Sequence, residues 1–196
     1  MSGRIVRQIP NTITVARVIL VAPTAWCLWV GHYPDALILM AIAGASDAVD
    51  GWLARRYDWG SRFGAAVDPL ADKFLVGTLF VVLTLRGHLP LWVAGIAVGR
   101  DLVILSGAGV YRAMFGHLEF QPTLLSKANT FLQIVVLLVI LLALCDLPSV
   151  SALAAAITPA GIWLVAGTGI ASGVDYVFTW GRRAVLESRA GSRAGS

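Results

Sequence analysis

Residues 47–72 read DAVDGWLARRYDWGSRFGAAVDPLAD, and they set Asp47, Asp50, Asp68 and Asp72 into two stretches that are otherwise oily. The run ALILMAIAGA (36–45) leads into the segment and FLVGTLFVVLTL (74–85) leads out of it. With their flanking residues these runs extend over 34–56 and 63–85, long enough to be expected as membrane helices. The spacings are i,i+3 and i,i+4, so each aspartate pair occupies one face of its helix. The short polar connection Tyr57-Asp58-Trp59-Gly60-Ser61-Arg62 makes the two helices antiparallel, so the pairs can face each other. Four carboxylates at membrane depth repel one another strongly unless something offsets their charge. Ionisable groups inside membrane spans are costly, and by default they mark function.

The rest of the chain agrees with a membrane setting. It has 196 residues, 58% hydrophobic and 13% charged, with mean hydropathy +0.79. An ordinary soluble domain is about 45–50% apolar and about 25% charged. That excludes a soluble enzyme, a nucleic-acid-binding domain and a disulfide-stapled secreted module. Cys27 and Cys145 each sit in an apolar run without CxxC spacing and read as small buried hydrophobes.

At about 20 residues per crossing, the hydrophobic runs give six transmembrane helices, at 12–31, 34–56, 63–85, 89–113, 125–144 and 158–180. The first run follows Arg4 and Arg7 as a signal peptide would. It is long and no small-x-small site closes it, so it reads as a retained span. Residues 1–10 are basic and amphipathic and are expected as a short interfacial helix. Arg4, Arg7, Arg55, Arg56, Arg62, Arg112, Lys127, Arg182, Arg183, Arg189 and Arg193 fall at one set of helix ends, and Arg86 at the other. The positive-inside rule then puts both termini, and the loop between spans 2 and 3, in the cytoplasm. The expected fold is an all-α membrane domain over residues 1–187, with a disordered Gly/Ser/Ala/Arg-rich tail over 188–196.

Clustered carboxylate oxygens with no His or Cys beside them suit hard divalent cations rather than zinc. Four carboxylates suffice for two ions, and a two-metal site can clamp a phosphoryl group. Gly51, Ala54 and Gly64 are small and permit close approach. Arg55 offers a forked donor for phosphate. Pro69 removes one helix hydrogen bond beside Asp68. The competing structural reading, Asp–Arg pairs that merely hold a hairpin together, makes poor use of so many intramembrane acids.

The pattern D-x-x-D-G-x-x-A-R-x8-G-x-x-x-D-x-x-x-D is carried by Asp47, Asp50, Gly51, Ala54, Arg55, Gly64, Asp68 and Asp72. It resembles, without departure, the signature of the CDP-alcohol phosphatidyltransferase family. The resemblance implies six membrane helices and a reaction in which an alcohol attacks the lipid-linked phosphorus of CDP-diacylglycerol and CMP leaves. It implies two Mg²⁺ or Mn²⁺ ions held by Asp47, Asp50 and Asp68, with Asp72 as general base and a further metal contact. It places the cytidine diphosphate against Asp47, Asp50, Gly51, Ala54, Arg55, Gly64 and Asp68. Relatives in the family are often dimers, so a homodimer is compatible with the resemblance.

The acceptor must be read elsewhere. Pro10-Asn11-x-x-Thr14-x-x-Arg17 and Asp68-Pro69-Leu70-Ala71-Asp72-Lys73 resemble both phosphatidylglycerophosphate synthases and eukaryotic-type cardiolipin synthases. Gly99-Arg100-Asp101 and the stretch 122–130, PTLLSKANT, look more like the cardiolipin synthases. Phosphatidylglycerol is therefore the preferred acceptor, with glycerol-3-phosphate the alternative. Either carries a phosphate, and Arg112, Lys127 and Arg182 or Arg183 lie at helix ends where they could hold it. The same residues could instead be snorkelling flanks. Arg100 with Asp101 reads equally as an intramembrane ion pair or as a substrate contact. Asn129 and Gln133 share a helix face suited to bonds across helices. His32, His88 and His117 fall in loops and read as solvated.

These readings imply a multi-pass protein of the cell (inner) membrane with its active site facing the cytoplasm. Its partners would be CDP-diacylglycerol, the acceptor and the lipid bilayer, with no nucleic acid. An ion-coupled transporter is the reading from another class. It would be expected to show internal repeats and interrupted helices, and neither is evident.

Overall fold

Long apolar runs closed by glycine produce a wholly helical chain among the described residues. The computed structural model describes the backbone over 9–57, 62–115 and 123–194, and side chains over 19–46, 73–111 and 123–183. The helices are α1 (Ile9–Val30), α2 (Tyr33–Tyr57), α3 (Arg62–Leu85), α4 (Leu91–Phe115), α5 (Leu124–Leu144) and α6 (Val150–Ala194). The expected interfacial helix over 1–10 lies almost entirely outside the described residues.

Four of the six expected spans match their helices within about two residues at each end. The sixth does not. The breaker Asp146-Leu147-Pro148 ends α5, but α6 begins at Val150, well before the expected start at 158, and carries Pro159 in its interior. Proline is tolerated in a helix that neighbours support, and Thr158 donates its hydroxyl to the Ala154 carbonyl at 2.8 Å in the turn that precedes it. The same helix runs to Ala194, through most of the tail expected to be disordered. Ala and Arg are good helix formers, and extending an existing helix costs far less than starting one.

Among the described residues, three helical stretches are long and apolar enough to cross a membrane: Leu91–Tyr111, Leu124–Leu144 and Val150–Arg183. Shorter apolar helical segments lie at Ile19–Val30, Tyr33–Ser46 and Lys73–Leu85. Large apolar side chains stand exposed along these helices, among them Trp26, Phe74, Leu102, Phe131, Trp163 and Phe178. Such a surface suits lipid and would be a liability in water. Hydroxyls are hidden accordingly. Thr24, Ser46, Thr78, Ser106 and Thr168 each donate to the carbonyl four residues back at 2.7 Å. Each of these five hydroxyls is thereby satisfied within its own helix.

Contacts gather the chain into two compact units. The first runs to Pro90 and adds Leu137–Thr158. In it α1 packs on both α2 and α3. Leu75, Val76, Leu79, Phe80 and Leu83 form one buried stripe of α3, and Val21, Leu28, Met40 and Ala43 are buried on α1 and α2. Gly31 and Gly87 close α1 and α3 at φ +85° and +78°. In each, the following histidine N–H reaches back to the carbonyl five residues earlier, His32 to Cys27 at 2.8 Å and His88 to Leu83 at 2.9 Å. These left-handed caps satisfy carbonyls that a side-chain-bearing residue would strain to reach.

The second unit holds Leu91–Val136 and the chain from Pro159 onward. Val93, Ala97, Arg100, Ile104 and Tyr111 line the buried face of α4, and Val165, Ser172 and Tyr176 that of α6. At Gly161 a Cβ would stand 2.9 Å from Val136 Cγ2, so only glycine lets α5 and α6 approach this closely.

Candidate active site

Helix lengths place the four aspartates. Asp47 lies ten residues before the end of α2 at Tyr57, and Asp72 ten residues after the start of α3 at Arg62. Asp50 and Asp68 lie seven and six residues from the same ends. At about 1.5 Å per residue, both pairs sit roughly 9–15 Å along their helices from the connecting residues. The two pairs are thus set at matched distances from the connection. Gly51, Ala54 and Arg55 follow on α2, and Gly64 opens α3. The side chains of all eight lie outside the described residues, as does that of Arg112 on α4. The next residue, Lys73, is half-buried on α3 and engaged in an interaction of its own.

The other sequence candidates belong to the second unit. Lys127 is exposed in the first turn of α5. Thr123 caps that turn: its Oγ1 accepts the Ser126 N–H at 3.2 Å, and its carbonyl accepts the Lys127 N–H at 3.1 Å. Arg182 and Arg183 are exposed on α6, with the Arg183 guanidinium 5.2 Å from the centre of the Trp180 ring. Trp180 also meets Tyr111 edge-on at 5.1 Å, so an aromatic patch lies beside these cations.

The ion pair expected for Arg100 and Asp101 is present in the structure. Arg100 is 5% exposed and bonds Asp101 through Nη1. Its Nη2 donates to Ser126 Oγ at 2.5 Å and to Ser172 Oγ at 2.8 Å, with a longer contact to the Ser126 carbonyl at 3.4 Å. One guanidinium therefore ties α4 to α5 and α6. The sequence marks Ser126 only as part of the 122–130 stretch and Ser172 not at all, and it shows neither as a partner of Arg100. A buried arginine needs such acceptors, which is the signal that could have found them.

Asn129 does pair across helices, its side-chain amide 2.9 Å from the Thr168 hydroxyl. Gln133 is equally buried, but its amide atoms find no protein partner among the described residues. His88 is not simply solvated. Its Nε2 is hydrogen-bonded to Tyr33 Oη at 2.8 Å, and burial, then the Arg86 charge, hold its imidazole below the usual range. His32 Nδ1 stands 3.4 Å from Asp35. Burial and the Asp146 charge push the Cys145 thiol up, so it stays protonated.

Comparison with known proteins places this chain. A family profile described as CDP-alcohol phosphatidyltransferase matches residues 7–170. A Drosophila melanogaster protein named probable cardiolipin synthase (CMP-forming) is 34% identical over 145 residues, 66% of this chain. The chain spans only 45% of that relative's length. A Mycobacterium tuberculosis protein named probable phosphatidylglycerophosphate synthase is 31% identical over 184 residues, covering 88% of this chain and 81% of the relative. The crystal structure of Mycobacterium tuberculosis phosphatidylinositol phosphate synthase with CDP-DAG bound superposes with TM-score 0.63 at 21% identity, over 91% of this chain and 94% of that one. At that identity the superposition speaks to the fold alone. With the family profile covering most of its length, the chain belongs to the CDP-alcohol phosphatidyltransferase family.

Proposed function

We propose that the protein transfers a phosphatidyl group from CDP-diacylglycerol to the hydroxyl of phosphatidylglycerol, giving cardiolipin and CMP. The single observation that carries the transfer reaction is the eight-position signature from Asp47 to Asp72, set on α2 and α3 at matched helix positions. In this reading the acceptor oxygen attacks the phosphorus bonded to the lipid glycerol. The bond from that phosphorus to the CMP oxygen breaks. Asp72 takes the hydroxyl proton as the new bond forms.

Asp47, Asp50 and Asp68 are the residues that would hold two divalent ions, Mg²⁺ or Mn²⁺, with Asp72 as a further contact. An all-carboxylate donor set shared between two helices fits such hard cations. When bound, the ions neutralise the diphosphate and the charge of departing CMP. Arg55 orients the diphosphate, while Gly51, Ala54 and Gly64 leave room for the donor headgroup. Arg112, Lys127 and Arg182 hold the acceptor phosphate. Lys127 supports this assignment in one respect. A cation in the first turn of a helix faces the positive end of the dipole, at a cost of about 0.3–1 kcal/mol. A bound anion offsets that cost.

The wider reading is a six-span protein of the cell membrane, with both termini and the aspartates on the cytoplasmic side. The second reading, phosphatidylglycerophosphate synthesis from glycerol-3-phosphate, is favoured by the Mycobacterium relative, which this chain matches over more of its length. Purified protein given CDP-diacylglycerol and each acceptor in turn, with lipid products identified by mass, separates the two. Cardiolipin from phosphatidylglycerol is the expected product. Phosphatidylglycerophosphate as the sole product would replace the first reading with the second.

A further inference from the structure

Arg100 is the one charged side chain in the buried class among the described residues, and it bonds Asp101, Ser126 and Ser172. Asp101 balances its charge, so it is poorly placed to be a phosphate ligand itself. Its bonds to Ser126 are harder to explain as simple helix packing. Asn129 and Thr168 already tie α5 to α6 one turn further along. What the Ser126 contacts add is a hold on the very start of α5. There Thr123 caps the Ser126 N–H, and Thr130 Oγ1 donates to the Ser126 carbonyl at 3.2 Å. First turns have few intrahelical partners and fray most easily. Lys127 is the next residue and is exposed.

We propose that Arg100 is a positioning residue for acceptor binding: through Ser126 it holds the first turn of α5, and so sets where Lys127 meets the acceptor phosphate. This rests on the reading of Lys127 as an acceptor ligand. It predicts a division of kinetic effects that a general stabilising tie would not produce.

Arg100→Ala leaves Asp101 without its partner and can fail to fold, so the informative change is Ser126→Ala, which removes one hydroxyl and leaves the Asp101 and Ser172 contacts. In the full-length protein, assayed by CMP release, Ser126→Ala is expected to raise the acceptor KM roughly tenfold, the scale of one lost hydrogen bond to a charged group. The KM for CDP-diacylglycerol and kcat should stay within about twofold of wild type. Ser126→Thr keeps the hydroxyl and should restore the acceptor KM. Ser126→Ala combined with Lys127→Ala should be no worse than Lys127→Ala alone, because both act through one contact. If Lys127→Ala raises the acceptor KM and Ser126→Ala does not, the positioning role is wrong while the Lys127 reading stands. If Lys127→Ala leaves the acceptor KM unchanged, both fall together.

Discussion

Asp68 and Asp72 are one helical turn apart and, in the proposed reaction, differ in role. Asp72→Asn keeps size and polarity but cannot accept the hydroxyl proton. Turnover should fall by about 10²–10⁴, while binding of CDP-diacylglycerol, followed by titration of the lipid nucleotide, stays near wild type. Loss of donor binding in parallel with turnover would show that Asp72 serves the donor rather than the acceptor hydroxyl. The acids were legible in the sequence because charge inside an apolar run stands out and the spacing names the face. The partners of Arg100 were not legible. Ser126 and Ser172 lie far from it along the chain, and single serines in membrane helices carry no periodic signal.

At the scale of the element, helix limits were legible wherever an apolar run met a Gly-His pair or a charged loop. They were obscured at α6, whose expected start at 158 falls beside Pro159, a residue in the helix interior. Close packing within helices was also hidden, since a glycine in the sequence does not say what faces it. Gly161 and Gly167 make the contrast measurable. A Cβ at Gly161 meets Val136 at 2.9 Å, whereas one at Gly167 meets nothing within 4 Å. Gly161→Ala should cost about 1–3 kcal/mol of stability. Gly167→Ala should be neutral or gain up to about 1 kcal/mol. Thermal unfolding in detergent compares them, and equal melting temperatures would contradict the close approach of α5 and α6.

His88 gives the turn after α3 a dependence on pH. Its folded pKa is depressed by burial and by Arg86, so the unfolded chain takes up the proton first as pH falls. Its contribution to stability is complete above the ordinary histidine value of about 6.5 and is lost as pH drops from there toward the depressed value. Melting temperatures of wild type and His88→Gln, followed between about pH 5 and 8, should converge or cross toward acid. A constant difference would mean that His88 titrates alike in both states.

At the scale of the molecule, the proposed lipid substrate accounts for a few acids set within an oily chain. Composition pointed to a membrane protein, and the exposed apolar faces of α4, α5 and α6 agree. Family membership places the chain among phosphatidyltransferases, which hydropathy could not do, and the proposed reaction gives the acids their roles. Release of CMP by the purified protein from CDP-diacylglycerol and phosphatidylglycerol, with and without added Mg²⁺ or Mn²⁺, tests the central claim most directly. CMP should appear in step with cardiolipin, only with the acceptor present, and should stop when the divalent ion is chelated. No CMP with either phosphatidylglycerol or glycerol-3-phosphate in the presence of the ion would contradict it.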